Sequence, residues 1–354
     1  MSSTVSPDVS VAERMRTRAA LIERIGGYMT AHAIGVAAEL GLADLIGSGA
    51  RPVEELAERA EVHEPSLRRL LRTLVAVGVA TEPEPGRFAL TDVGALLRSD
   101  SPDSLRKFAR MFCHPIFFTS WQSLQHTVTT GERAFDHTYG TGVYDWLGRN
   151  DETSALFNEA MSEESTIAAG YLAEVHPFPE TGTVVDLGGG DGTLLTAVLN
   201  ARPGLRGIVF DSPSGVAQAP AALAKAGLTD RCAVEAGDFF AAVPGGGDLY
   251  VVKSVFQDWG DDEARAILRT CRAHMPESAT LLIVGTVLPE RADTSAPVAF
   301  FTDLNMMVVA GGRERTESEF RALLAETGFR VRSVGIGQAG PLSVIEAVPA
   351  PDAV

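Results

Sequence analysis

Cysteine is scarce: Cys113, Cys232 and Cys271 are the three in 354 residues, and they lie far apart. They form neither a disulfide framework nor a metal-ligand spacing, and read as small buried apolar groups. No apolar run approaches the roughly 18–20 residues that a membrane span needs. The first ten residues are polar and carry no signal-peptide pattern, so a cytoplasmic protein is expected. Internal repeats and low-complexity tracts are missing. No His/Asp/Glu cluster has ligand spacing, so no metal is expected. Positive charge is also short: the formal net charge is −16. Residues 1–110 are near neutral, with 14 basic and 15 acidic side chains, and the remainder carries 16 basic against 31 acidic. Such an acidic body repels nucleic acid.

What is present is an ordinary globular composition, 45% hydrophobic and 21% charged, long enough for two domains. Residues 11–46 read as helices with small-residue contacts. RPVEELAERA reads as a short helix. A second one opens at Pro65 and carries Leu67, Leu70, Leu71, Leu74 and Val75 at helical spacing, closed by Gly78. TEPEPGRFALT reads as a small β-wing around a Pro-Gly turn. Helix, turn, helix and wing make a winged-helix arrangement. Arg68, Arg69 and Arg72 line the second helix, but the acidic balance favours a solvated or paired face over DNA recognition. Three parts are expected: an all-α winged-helix domain at 11–100, a helical, aromatic connector at 101–175, and a doubly wound α/β domain at 176–350.

In that last part strands and helices alternate: TVVDLG, GLRGIVFDS, RCAVEAGDF, DLYVVKSVF and ATLLIVGTVL. FRVRSVGIG and LSVIEAV then suggest an antiparallel hairpin at the sheet edge, joined by a Gly-Pro turn. The richest stretch is TVVDLGGGDGTLL, residues 183–195. Glycines at a strand-to-helix turn let the backbone approach a ligand closely, and the helix N-terminus offers free N–H groups. That predicts a nucleotide-type cofactor in a Rossmann-like domain. The loop lacks a spaced G-x-G-x-x-G and holds Asp191, which is unfavourable beside a pyrophosphate. A phosphate-free, cationic nucleoside fits better. Asp211 ends the next strand, where a carboxylate accepts both ribose hydroxyls. In GDFF, Asp238 suits an adenine amino group and Phe239 the ring face.

With these motifs on the page, the chain resembles the S-adenosylmethionine-dependent small-molecule O-methyltransferases, the group shared by plant phenolic and bacterial polyketide-tailoring enzymes. The resemblance spans about residues 20–348 and runs in order. It takes in GERAFDHTYGTGVYDWLGRNDETSALFNEAM, VVDLGGGDG, VFDSP, GDFF, KSVFQDWGDDEARAILRTC, LLIVGTVLP and GGRERTESEFRALLAETGF. It implies a class I methyltransferase fold with an N-terminal dimerisation domain, and hence a homodimer. It implies that S-adenosyl-L-methionine is the cofactor. Asp186, Gly188 and Gly190 would hold its methionine end, Asp211 the ribose, and Asp238 and Phe239 the adenine. Lys253 and Trp259 would border the site, and acidic Asp186 and Asp191 would suit a sulfonium. Acceptor lining would come from His114, Phe117, Trp121, Phe157, Met161, Asp303, Met306 and Met307.

The active centre departs from the family. Where most relatives end the fourth strand in a histidine base followed by Asp-Trp, this chain has Gln257, which does not titrate near neutral pH. A second family carboxylate, expected where the fifth strand begins to turn, falls on Gly285. Only Glu314 of the acid–base set is kept; Asp258 and Asp303 stand nearby as replacement bases. The leading expectation is O-methylation of a hydroxylated aromatic or polyketide by proximity, with Gln257 orienting the acceptor. The alternative keeps the cofactor but turns to non-methylating chemistry: hydroxylation, decarboxylation or a pericyclic reaction.

Overall fold

The computed structural model describes residues 10–336 and 342–351. The chain divides into two compact units, Met1–Pro115 and Ile116–Val354. Residues 116–175 of the expected connector therefore belong to the second unit.

In the first unit, helices Val11–Ile25, Gly27–Glu39, Leu42–Ile46, Val53–Arg59 and Glu64–Ala76 accompany a small sheet. Pro65 stands in the first turn of the last of these, and Leu67, Leu71 and Leu74 form its buried stripe. They pack with Leu42, Ile46, Leu56 and Phe88. The wing is β2 (Ala80–Glu84) with β3 (Arg87–Leu90), and it has a third strand, β1 (Arg51–Pro52), paired antiparallel to β3. The expected helix at RPVEELAERA thus begins only at Val53. Pro52 stands just outside it with an extended ψ of 141°, and a proline offers no N–H to a helix interior. Arg68 is paired with Glu54 and Glu64, and Arg72 with Glu82, so those two arginines are spent on neighbouring acids. Helix Val11–Ile25 buries no residue. Val11, Met15, Leu21, Ile22 and Ile25 stand exposed along it.

The second unit is built on β4 (Gly182–Leu187), β5 (Leu205–Asp211), β6 (Cys232–Ala236), β7 (Leu249–Lys253), β8 (Thr280–Leu288), β9 (Arg315–Thr316), β10 (Phe329–Ile336) and β11 (Leu342–Pro349). The sheet order is β10-β11-β8-β7-β4-β5-β6, with β9 on the end of β8. From β6 to β8 neighbours are parallel; β11 and β10 are antiparallel. The Gly-Pro turn expected between the last two strands lies outside the described residues.

Both faces of the central strands are apolar, as a sheet covered by helices on each side requires. Val185, Val252, Leu281 and Ile283 pack with helices Asp261–His274 and Glu317–Glu326 through Ile267, Leu268, Phe320 and Leu324. The alternating Val184, Val251, Leu282 and Val284 pack with Leu195, Val198 and Leu199 of helix Thr193–Ala201 and Leu172 of helix Asp151–Val175. Strand order reverses at β4. The crevice beyond its carboxyl end is where ligands bind in such sheets.

Candidate active site

The glycine loop leaves β4 in a conformation side chains avoid. Gly188, Gly190 and Gly192 have φ of +75°, +55° and +81°. A Cβ at Gly188 would lie 2.5 Å from Val255 Cγ2, and one at Gly189 would lie 3.0 Å from the Asp186 carboxyl carbon. The loop is tied to the next strand: Gly188 and Gly189 N–H both donate to the Phe210 carbonyl.

Beneath it Asp186 is 1% exposed, and its Oδ2 has no hydrogen-bond partner among the described residues. Burial raises its pKa to about 7, against the pull of Lys253, while Asp211 and Asp191 push it further up. Lys253, at the end of β7, divides its charge between Asp186 and Glu164, 3.1 Å away, and also donates to Ser165 Oγ. A buried carboxylate left with an open oxygen among like charges calls for a cation. A sulfonium with an ammonium group supplies it, so these residues fit the methionine end of the cofactor.

Asp211 holds the loop from the side, accepting from Gly190 N–H at 3.0 Å and Ser212 N–H at 2.6 Å. Each oxygen accepts one backbone donor, leaving lone-pair capacity for ribose hydroxyls. Asp191 differs from expectation. Its carboxylate caps helix Thr193–Ala201, accepting from Thr193 N–H and Oγ1, and takes a further bond from Ser162 Oγ. It is a stitch between two helices rather than an open anion. Past β6, Asp238 accepts from Phe240 N–H at 2.9 Å. Phe239 and Phe240 are tilted against each other and both meet Trp259 edge-to-face, with ring centroids 4.9–6.2 Å apart. The proposed adenine wall and Trp259 are thus one cluster.

At the acceptor end two expected positions move. Strand β7 stops at Lys253, because Ser254 takes a left-handed φ of +54°, rare outside glycine. Gln257 sits on the following 3-10 turn, Phe256–Asp258, and not on the strand itself. Gly285 lies inside β8, paired with Ser343 of β11, because β11 pairs β8 as far as Thr286 and β9 then carries it on to Leu288. The structure nevertheless brings the two together: a Cβ at Gly285 would lie 3.7 Å from Gln257 Oε1.

Glu314 is 2% exposed with Oε1 unpartnered among the described residues. Burial, then Asp303 and Asp258, raise its pKa to about 8, against Arg315 and a hydrogen bond with Thr286. Asp303 also accepts from the Glu314 backbone N–H at 2.8 Å. Burial lifts Asp258 to about 7, opposed by a 2.8 Å hydrogen bond from the Tyr144 hydroxyl. Tyr144 leaves its ring 49% exposed while its hydroxyl is tied to that carboxylate.

An aromatic path leads away from this point. The Tyr144 ring meets Phe157 edge-on at 6.4 Å, and Phe157 stacks on Phe117 at 6.2 Å. Met161 follows Phe157 by one turn on the same helix face. Trp121 Nε1 donates to Asn305 Oδ1, which joins it to the helix Pro297–Val309 that carries Asp303, Met306 and Met307. All three methionines are half-buried. His114 belongs to the first unit, Met1–Pro115.

Residues that the sequence reading did not single out hold the turn in place. Arg315, fully buried, donates to the Phe256 and Trp259 carbonyls and to Asp261, clamping both sides of Gln257–Asp258. Gly312 lies so close that a Cβ would overlap the Gln257 carbonyl oxygen and the Asp258 carbonyl carbon. Its signal was the glycine pair in GGRERT; Arg315 and Tyr144 gave none.

Residues 121–330 match the model of the O-methyltransferase domain, and residues 22–100 that of the O-methyltransferase dimerisation domain. The chain belongs to this family of S-adenosylmethionine-dependent O-methyltransferases. It is 44% identical to the O-demethylpuromycin-O-methyltransferase of Streptomyces alboniger, over 93% of this chain and 88% of that one. The solved mitomycin 7-O-methyltransferase is 38% identical with a TM-score of 0.86, covering 96% of this chain and 100% of that one. A neocarzinostatin-biosynthesis O-methyltransferase, solved with S-adenosylmethionine and 2-hydroxy-5-methyl naphthoic acid, is 34% identical. Its TM-score is 0.74, over 90% of this chain and 96% of that one. Among the described residues no helix is long and apolar enough to cross a membrane.

Proposed function

We propose that the protein methylates a hydroxyl of a flat aromatic or polyketide-type secondary metabolite, as in antibiotic biosynthesis, by positioning the acceptor rather than by a histidine base. The observation that carries this is Gln257, an amide beside Asp258 at the near end of the Tyr144–Phe157–Phe117 path. The named relatives act on acceptors of this kind, a mitomycin and a naphthoic acid among them. When bound, S-adenosyl-L-methionine supplies a methyl group already activated on sulfur.

The chain's own groups do the rest. Asp186 neutralises the cationic end, with Gly188 and Gly190 giving it backbone access. Asp211 accepts from the ribose, Asp238 and Phe239 take the adenine, and Lys253 and Trp259 close the border. Gln257 donates to or accepts from the acceptor hydroxyl and sets its line of approach, a geometry that alone removes a large part of the barrier. Phe117, Trp121, Phe157, Met161, Met306 and Met307 form the acceptor wall, and the helical segment at 116–175 supplies most of it. The apolar face of helix Val11–Ile25 supports a homodimer formed through the first unit. Three free thiols accord with a cytoplasmic setting.

The test is an incubation of the purified protein with methyl-labelled cofactor and a panel of phenolic polyketides, naphthols and hydroxyphenazines. Label in an ether product with matching S-adenosylhomocysteine is expected. Cofactor binding without label transfer to any acceptor would overturn the reading.

A further inference from the structure

The absence of a side chain at Gly285 leaves a space, and the space is polar on one side. A small cavity lies between Ser254, Gln257, Gly285, Thr286 and Glu314, floored by Val252, Ile283 and Phe320. It leaves about 10 Å³ for the centre of a water molecule, about the minimum for holding one. Glu314 Oε1 is buried without a partner at its edge, and Gln257 Oε1 borders the position a Gly285 side chain would occupy. Resting on the methyl-transfer reading above, we propose that one water sits in this cavity, held by Gln257 and Glu314, and relays the acceptor proton to the Glu314 carboxylate.

Glu314 shares this cavity with Gln257, so a water between them links it to an acceptor held at that amide. Gln257 suits the water because an amide both donates and accepts. Ser254 and Thr286 offer hydroxyls from two sides, so the water has the two to four polar partners that a buried one requires. Asp258 is a poorer terminus, since its carboxylate already takes the Tyr144 hydroxyl. The step balances. The acceptor oxygen forms the new O–C bond as its proton passes through the water to Glu314. The C–S bond breaks with its electron pair left on sulfur, and Glu314 returns the proton to solvent after product leaves.

Glu314 is faced by Asp303 from helix Pro297–Val309, Asp258 from the 3-10 turn, Arg315 from its own strand and Thr286 from β8. The two acids raise it and Arg315 lowers it, and the balance lies near 8 after burial. A relay ending there is slow in acid and speeds up as pH rises through about 8.

Gly285→Ala is the decisive variant, because its Cβ makes only an ordinary 3.7 Å contact yet fills the cavity. We expect kcat to fall roughly 10- to 100-fold, with cofactor affinity unchanged and the alkaline arm of the pH–rate profile lost. Glu314→Gln should lose the same arm. A high-resolution crystal structure of the protein should show a water within hydrogen-bond distance of Glu314 and Gln257, displaced in Gly285→Ala. If wild-type protein transfers no methyl group, the function and the relay fall together. If it does, an unchanged profile in Gly285→Ala, or no water beside Glu314, overturns the relay alone.

Discussion

The carboxyl ends of β4, β5 and β6 and those of β7 and β8 both gather carboxylates, yet hold them differently. On the first side Asp191, Asp211 and Asp238 each accept from backbone N–H groups, which holds their carboxylates in place. Asp186 alone is left open for a cation. On the second side Asp258 and Glu314 are pushed up to about 7 and 8 by burial, and the side chains beside them are an amide and a glycine. The cofactor half is three carboxylates held by the backbone around Asp186, which burial raises to about 7 and a bound cation holds ionised. The acceptor half is two raised acids with no cation to meet, so the two halves should respond to substitution in different measurable quantities.

The largest break should come at Asp186. Asp186→Asn removes the open buried carboxylate beneath the glycine loop, and we expect cofactor affinity to fall about 100-fold or more by calorimetry, in the range for truncating a buried charged contact. The ligand-free variant should behave oppositely in stability. Asp186 binds its proton up to about pH 7 when folded and releases it near 3.8 when unfolded. Below 3.8 both states are protonated; between there and 7 the folded state keeps a proton that the unfolded chain has lost. Stability from this group is therefore lost as pH rises through 7. Asp186→Asn should flatten that slope in urea titrations at pH 5 and pH 8. Equal slopes for the two proteins would mean the carboxylate is not the source.

Gly312→Ala should strike the other half. Its Cβ overlaps the backbone of the Gln257–Asp258 turn, which must then shift. A displacement of this kind costs about tenfold or more in kcat, and strain of about 1–3 kcal/mol in stability. Cofactor affinity should stay within about twofold. A variant that lost cofactor binding first would show that the two halves are not separable in the way the hydrogen bonds suggest.

The halves also differed in how far they could be read in advance. The glycine loop, Asp211 and Asp238 were legible because local backbone demands, a left-handed φ or a strand end, fix residue type within a few positions. The doubly wound sheet followed from alternating apolar strands. Gln257 and Gly285 were recognised as departures, but their 3.7 Å approach depends on β8 continuing beside β11, a pairing far away in sequence. Arg315 escaped notice for the same reason. A buried guanidinium bonding two carbonyls looks, in one dimension, like any surface arginine, and Tyr144 looks like one more aromatic in a helical stretch.

The pH dependence of cofactor binding gives a smaller effect that sharpens the comparison. A cation binds ionised Asp186, so in wild-type protein the affinity should drop by up to about tenfold from pH 7 to pH 6, with about one proton released on binding in acid. Calorimetry in buffers of different ionisation enthalpy measures that proton directly. Asp258 and Glu314 lie on the other side. Their titration should appear in turnover instead, and a release near two protons on cofactor binding alone would join the two halves electrostatically.

Tyr144→Phe should have the smallest effect and be the most selective. The substitution keeps the ring against Phe157 and deletes only the hydroxyl that donates to Asp258. A hydrogen bond to a charged group is worth roughly 1.5–3 kcal/mol, but this one is spent partly on lowering a buried acid. Without it Asp258 keeps its proton to higher pH, so it carries less of its charge near neutrality. Two consequences separate a positioning role from mere packing. KM for the acceptor should rise by a few-fold with kcat at high pH preserved, and the acid limb of the pH profile should move upward. Packing loss alone would raise KM at every pH and leave the limb where it was.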